Sequence, residues 1–126
     1  MLDKGLFLDR DGVINIDHGY VHKIKDFHFV DGVFDLTLEA VNKGYLIFVI
    51  TNQSGIGRGY YSLNDFNLLT NWMCRQFLSK GIILSKVYYS PYHPTHGIGN
   101  YKQEHEFRKP NPGMIKTAAE EFRVDL

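Results

Sequence analysis

Six consecutive apolar residues, Tyr45-Leu46-Ile47-Phe48-Val49-Ile50, restrict the fold more than any other stretch of this chain of 126 residues. A half-buried strand alternates apolar and polar positions, whereas a run that is apolar throughout has to be covered on both faces, as in a parallel sheet between helix layers. The run is far too short to cross a membrane. It ends in polar residues, Thr51-Asn52-Gln53-Ser54-Gly55, and two other segments end the same way. Leu6-Phe7-Leu8 runs into Asp9-Arg10-Asp11-Gly12, and Lys86-Val87-Tyr88-Tyr89-Ser90 runs into an irregular stretch, Pro91 to Phe107, that holds three histidines.

Helical patterns separate these strands. Asp31 is expected to cap a helix with Phe34, Leu38 and Val41 inward and Gly44 just past its end. Ser62 with Asp65 forms a capping-box signature for a second helix, which buries Phe66, Leu69, Met73 and Phe77, with Leu68 and Trp72 widening the face, and stops near Gly81. Asn111 and Pro112 open a last helix that runs to about Arg123. Strand, helix, strand, helix, strand, helix is the order of an α/β domain with a parallel sheet. In such a domain the binding site lies at the carboxyl ends of the strands.

The length suits one domain. Lys plus Arg and Asp plus Glu both number 14, so no overall field favours a nucleic acid or an anionic membrane. A single cysteine, Cys74, excludes an internal disulfide and a multi-cysteine zinc cluster. With no secretion-type start or long apolar span, a soluble cytoplasmic protein is expected.

Asp9 and Asp11 stand two apart, so on an extended backbone they point the same way and can share a cation. Close carboxylates repel unless a positive charge sits between them, and Mg²⁺ is the economical candidate. An ordinary strand-end turn uses the same residue types for backbone reasons. A calcium-binding EF-hand loop fails in this register, because its first and last ligand positions fall on Phe7 and His18. Beside the acidic turn, Thr51 and Asn52 follow the central strand and Arg108-Lys109 precede the last helix. Cations, hydroxyl, amide and paired carboxylates gathered at one sheet edge suit a phosphate group.

The segments FLDRDGVIN, VITNQSG and RKPNPGM, in that order, resemble the first three motifs of the haloacid dehalogenase superfamily, in particular its small phosphatases acting on heptose bisphosphate and histidinol phosphate. DHGYVH beside the first motif resembles the heptose-bisphosphate branch, and the likeness spans residues 4 to 126. It implies a single Rossmann-like three-layer α/β sandwich over residues 1 to 126, without a cap domain, and a Mg²⁺-dependent phosphomonoesterase acting on a small phosphosugar as a monomer. Asp9 would be the nucleophile and Asp11 the general acid and base, both at the metal. Thr51 and Lys109 would hold the phosphoryl oxygens. Arg108 would read the substrate, and Asp17, His18, Gly19 and Tyr20 with Thr51, Asn52, Gln53 and Ser54 would line the sugar-phosphate pocket. Heptose 1,7-bisphosphate is the leading expected substrate. Histidinol phosphate is the second, and an inactive phosphate-binding fragment is the reading from another class.

Many relatives bind a structural zinc through three Cys and one His after the third strand. The matching positions here are Ser90, Tyr92, His105 and Phe107, so zinc is not expected, even allowing for His93 and His96 nearby. The resemblance also implies a last acidic motif on a fourth strand, which would add a metal ligand. The chain reaches Leu126 before it, so the expectation is a domain lacking its last strand, with an incomplete metal site and little activity as written.

Overall fold

The computed structural model describes residues 2 to 126. Four parallel strands form one sheet: β1 (Asp3–Asp9), β2 (Tyr45–Asn52), β3 (Leu84–Ser90) and β4 (Val124–Asp125), in the order β3-β2-β1-β4. The helices are α1 (Val33–Asn42), a single turn α2 (Ser54–Gly57), α3 (Leu63–Ser79) and α4 (Gly113–Phe122). Short 3₁₀ turns at Ile24–Asp26 and Gly99–Tyr101 interrupt the two long loops.

The unbroken apolar run of β2 is explained by two separate cores. Its alternate residues Ile47 and Val49 join Leu8, Val33, Leu69, Met73 and Phe77 on the face covered by α1 and α3. Phe48 and Ile50 join Tyr88, Met114, Ala118 and Val124 on the face covered by α4. Period-two alternation thus feeds both layers of a three-layer α/β sandwich from one strand. Loop residues Ile14, Val21 and Phe27 are buried in the first core, which ties the segment after β1 to the body of the domain.

Helix α3 begins as the sequence predicts. Ser62 Oγ accepts from the Asp65 N–H at 3.0 Å, and Asp65 accepts from the Ser62 N–H at 2.9 Å. Phe66, Leu69, Met73 and Phe77 are buried, and burying each is worth roughly 1.5–3 kcal/mol.

Five local expectations need correction. Leu68 is 59 % exposed and does not widen the α3 face. In α1 the inward face is Val33, Phe34, Thr37 and Val41, while Leu38 is exposed. Buried Thr37 satisfies its own hydroxyl by donating to the Val33 carbonyl at 2.6 Å, so it packs like an apolar residue. Asp31 does not cap α1, whose N-cap is Gly32 at φ +84° with no side-chain bond. Nor does Asn111 cap α4, which starts at Gly113 behind Pro112; the Asn111 amide donates instead to Glu104 Oε1 and the His105 carbonyl, both at 3.0 Å. Finally, the sheet has a fourth strand of two residues, with Val124 and Asp125 pairing beside Asp3 and Lys4 of β1.

Candidate active site

The strand order places β1 between β2 and β4, and the cavity opens at the carboxyl end of β1. It has a volume of about 350 Å³, within the range of small-molecule sites. Its walls are Asp9 and Asp11 after β1, Thr51 to Gly55 after β2, Asp17, Gly19 and Tyr20 from the loop, Tyr61, and Lys109 ahead of α4. Three sequence segments far apart in the chain meet there because parallel strands deliver their polar ends to the same edge.

Asp9 is the last residue of β1, and its Oδ2 lies 2.5 Å from Lys109 Nζ. Asn52 holds Lys109 in place. Its Oδ1 accepts from the Lys109 N–H at 2.9 Å, and its Nδ2 donates to the Lys109 carbonyl at 3.3 Å.

The next turn is folded around the carbonyl of Arg10, which accepts from the N–H groups of Val13, Ile14 and Asn15. The Arg10 side chain, only 2 % exposed, turns back on Asp11: Nη2 lies 3.0 and 3.1 Å from its two oxygens and also donates to the Val21 carbonyl at 2.7 Å. Asn15 Nδ2 and Gln53 Nε2 each reach Asp11 at 3.1 Å. Gln53 Nε2 also donates to Thr51 Oγ1 at 2.8 Å, and Gln53 Oε1 accepts from the Tyr61 hydroxyl. Asp11 is therefore oriented by a buried net rather than left to rotate. Burial pushes the Tyr61 phenol up to about 12, against the opposing pull of Arg10. Gly55 allows this packing, because a Cβ there would stand 2.2 Å from Tyr61 Cε1.

Most of the residues expected at the site converge on this cavity, but His18 and Arg108 lie outside it. His18 meets His28 edge-on at 5.4 Å in the neighbouring depression beside Val21 and Asp26. Arg108 donates from Nη1 to the Tyr92 carbonyl at 2.9 Å. Sequence reading missed Arg10, Asn15, Gly55 and Tyr61. The available signal for Arg10 was a cation set between two carboxylates, which in a buried turn has to pair with one of them.

Asp9 and Asp11 offer hard oxygen donors on the wall of this cavity, the donor set that suits Mg²⁺ bound by one or two carboxylates with phosphate oxygens. Among the described residues, no three His, Cys, Asp or Glu side chains converge to hold a metal unaided. In the loop after β3, Ser90 is buried and the His105 ring stacks on Tyr92 at 3.9 Å and meets Phe107 edge-on. His93 Nδ1 accepts from the N–H groups of Thr95 and His96 at 3.2 and 2.9 Å.

A parallel sheet with helices on both faces and a Lys-paired aspartate at its carboxyl edge defines a class of phosphoryl-handling enzyme. The chain belongs to the haloacid dehalogenase-like phosphatases, matching over residues 6–126 the family described as polynucleotide kinase 3 phosphatase. Over its full length it is 56 % identical to a D-glycero-alpha-D-manno-heptose-1,7-bisphosphate 7-phosphatase of Burkholderia mallei, spanning 67 % of that protein. It is 48 % identical to the corresponding beta-form enzyme of Vibrio cholerae, spanning 68 % of it. Among solved structures, the D,D-heptose 1,7-bisphosphate phosphatase of B. bronchiseptica, complexed with magnesium and phosphate, superposes with a TM-score of 0.81 at 28 % identity, over 98 % of this chain and 65 % of that one. A Mesorhizobium loti protein described as a HAD-like phosphatase superposes with a TM-score of 0.92 at 32 % identity, over 98 % of this chain and 59 % of that one. The chain thus spans between 59 % and 68 % of the length of these relatives.

Proposed function

We propose that these residues build the site of a phosphomonoesterase that removes the 7-phosphate of D-glycero-D-manno-heptose 1,7-bisphosphate in the cytoplasm, acting as a monomer. The observation that carries the reading is the Asp9–Lys109 pair at the carboxyl end of a parallel sheet, with Asp11 and Thr51 on the same cavity. Relatives named for this activity match the chain from end to end. The balance of charges gives no support to a polynucleotide substrate.

In this mechanism Lys109 Nζ and Thr51 Oγ1 bind the phosphoryl oxygens and align phosphorus with Asp9. A carboxylate oxygen of Asp9 forms a bond to phosphorus as the ester P–O bond breaks, and the departing sugar oxygen takes a proton from the Asp11 carboxyl group. Asp11, now a carboxylate, takes a proton from water, whose oxygen attacks phosphorus and releases Asp9 and inorganic phosphate. Such transfer depends chiefly on positioning and neutralisation of charge, which the net around Asp11 and the Asn52 hold on Lys109 supply. Asp9 and the turn at Asp11 would hold Mg²⁺, which when bound offsets the charge of the phosphate against the Asp9 carboxylate.

The test is phosphate release, with and without Mg²⁺, from both anomers of heptose 1,7-bisphosphate and from histidinol phosphate. Preferential, Mg²⁺-dependent release from one heptose anomer is expected. Faster turnover of histidinol phosphate would move the assignment to that substrate, and phosphate binding without release would leave a binding protein.

A further inference from the structure

The loop after β1 carries two successive residues in the left-handed region, Gly19 at φ +85° and Tyr20 at φ +52°. For a tyrosine this is an uncommon conformation, and it persists only where the surroundings hold it. The surroundings here are specific. Asp17 Oδ1 accepts from the Gly19 N–H at 2.9 Å. The Tyr20 hydroxyl accepts from Arg58 Nη1 at 2.6 Å, and its ring meets Tyr60 edge-on at 4.8 Å. The Arg58 guanidinium stands 4.9 Å from the centre of the Tyr60 ring and 5.7 Å from that of Tyr20. Arg58 is itself fixed as the residue that closes α2, through its N–H to the Ser54 carbonyl.

Gly19 and Tyr20 wall the cavity, whereas Arg58 does not line it. Given the phosphatase reading above, on which this step rests, we propose that Arg58 and Tyr60 are positioning residues. They clasp Tyr20 and so hold the Asp17 to Tyr20 wall against the part of a phosphosugar that does not react. The wall stands in for a cap domain. Without the clasp the loop would leave its strained conformation much of the time, and apparent affinity falls by the fraction of molecules that stay competent. An exposed cation–π contact and a charge-assisted hydrogen bond together correspond to about a tenfold change in that fraction.

The experiment compares Arg58→Ala, Tyr60→Ala and Tyr60→Phe with the parent protein. Amide hydrogen exchange of residues 17 to 22, measured without substrate, should quicken about tenfold in both alanine variants and stay at the parent rate in Tyr60→Phe, which keeps the ring. KM for heptose 1,7-bisphosphate should rise about tenfold in the alanine variants with kcat within about twofold, while turnover of p-nitrophenyl phosphate, which offers the wall little to hold, stays within about twofold. Unchanged exchange in both alanine variants overturns the clasp. Faster exchange with equal losses on both esters overturns its role in substrate holding. If neither the parent chain nor a version extended to the length of its relatives hydrolyses either ester, the phosphatase reading fails, and the exchange data still decide whether Arg58 and Tyr60 hold the loop.

Discussion

Asn52 and Lys109, 57 residues apart, are joined at two points: the side-chain amide of Asn52 accepts from the Lys109 N–H at 2.9 Å and donates to its carbonyl at 3.3 Å. The pairing imitates one rung of a sheet and delivers the lysine ammonium to Asp9. Asn52→Ala removes both bonds, at roughly 1–2 kcal/mol in all. A fall in melting temperature of a few degrees is expected, together with a loss of about 10- to 100-fold in kcat/KM as Lys109 loses its alignment. A variant with full activity would show that Lys109 is held adequately by other contacts.

Asp9→Asn keeps the shape of the strand end and removes the proposed nucleophile. Phosphate release should drop by at least about 10³-fold, while the circular dichroism spectrum stays that of the parent protein. Lys109, 2.5 Å from Asp9 Oδ2, loses its charge partner in this variant, so inorganic phosphate should bind at least as well as before. Turnover near the parent rate would exclude an aspartyl-phosphate route.

Tyr61 gives the site a signature at alkaline pH. Burial holds its phenol up to about 12, above the ordinary value of 10.0, so the un-ionised form is favoured in the folded protein. Its contribution to stability is therefore complete below pH 10 and is lost as the pH climbs from 10 towards 12. Tyr88 and Tyr89 are shifted in the same direction by burial, so the measurement is a difference: urea unfolding of the parent protein and of Tyr61→Phe between pH 8 and about pH 11.5. Tyr61→Phe should be less stable at neutral pH by about 1 kcal/mol, since Gln53 Oε1 loses its donor, and the gap should narrow above pH 10. A constant gap would show that Tyr61 is not shifted.

The loop from Pro91 to Phe107 should carry no zinc. Its residues are held without a metal: Tyr92 stacks on His105, the His93 N–H donates to the Tyr101 carbonyl at 3.0 Å, the Ile98 N–H to the Gly57 carbonyl at 2.7 Å, and the Asn111 amide to Glu104 Oε1 and the His105 carbonyl. Elemental analysis of protein purified without chelator should find far less than one zinc per chain. Stoichiometric zinc would mean that His93, His96 and His105 rearrange around it.

Much of this was legible in the sequence because it depends on local rules. The apolar run of β2 requires cover on both faces, the Ser62–Asp65 box starts α3, and polar residues after successive parallel strands meet at one edge. What was not legible depends on partners distant in sequence. Asn111 has the chemistry of a cap, but Glu104 and the His105 carbonyl take its amide. Thr37 counts as polar until its hydroxyl is seen to bond within its own helix. Arg108 donates from Nη1 to the Tyr92 carbonyl, a partner 16 residues away that no local pattern announces. Arg10, to which the sequence reading gave no role, is buried because Asp11 and the Val21 carbonyl satisfy it together.

The burial of Val21 and Phe27 in the main core sets a limit on how such an enzyme can change its diet over evolutionary time. The segment after β1 is nailed down at those two points and at Ile14, so most of it cannot drift without loosening the domain. Between Ile14 and Val21, the residues that face the cavity, Asp17, Gly19 and Tyr20, are exposed and contribute nothing to either core. A lineage can rewrite that short window without loosening the domain, and on the proposed reading it would thereby change the sugar it accepts while Asp9 and Asp11 stay untouched.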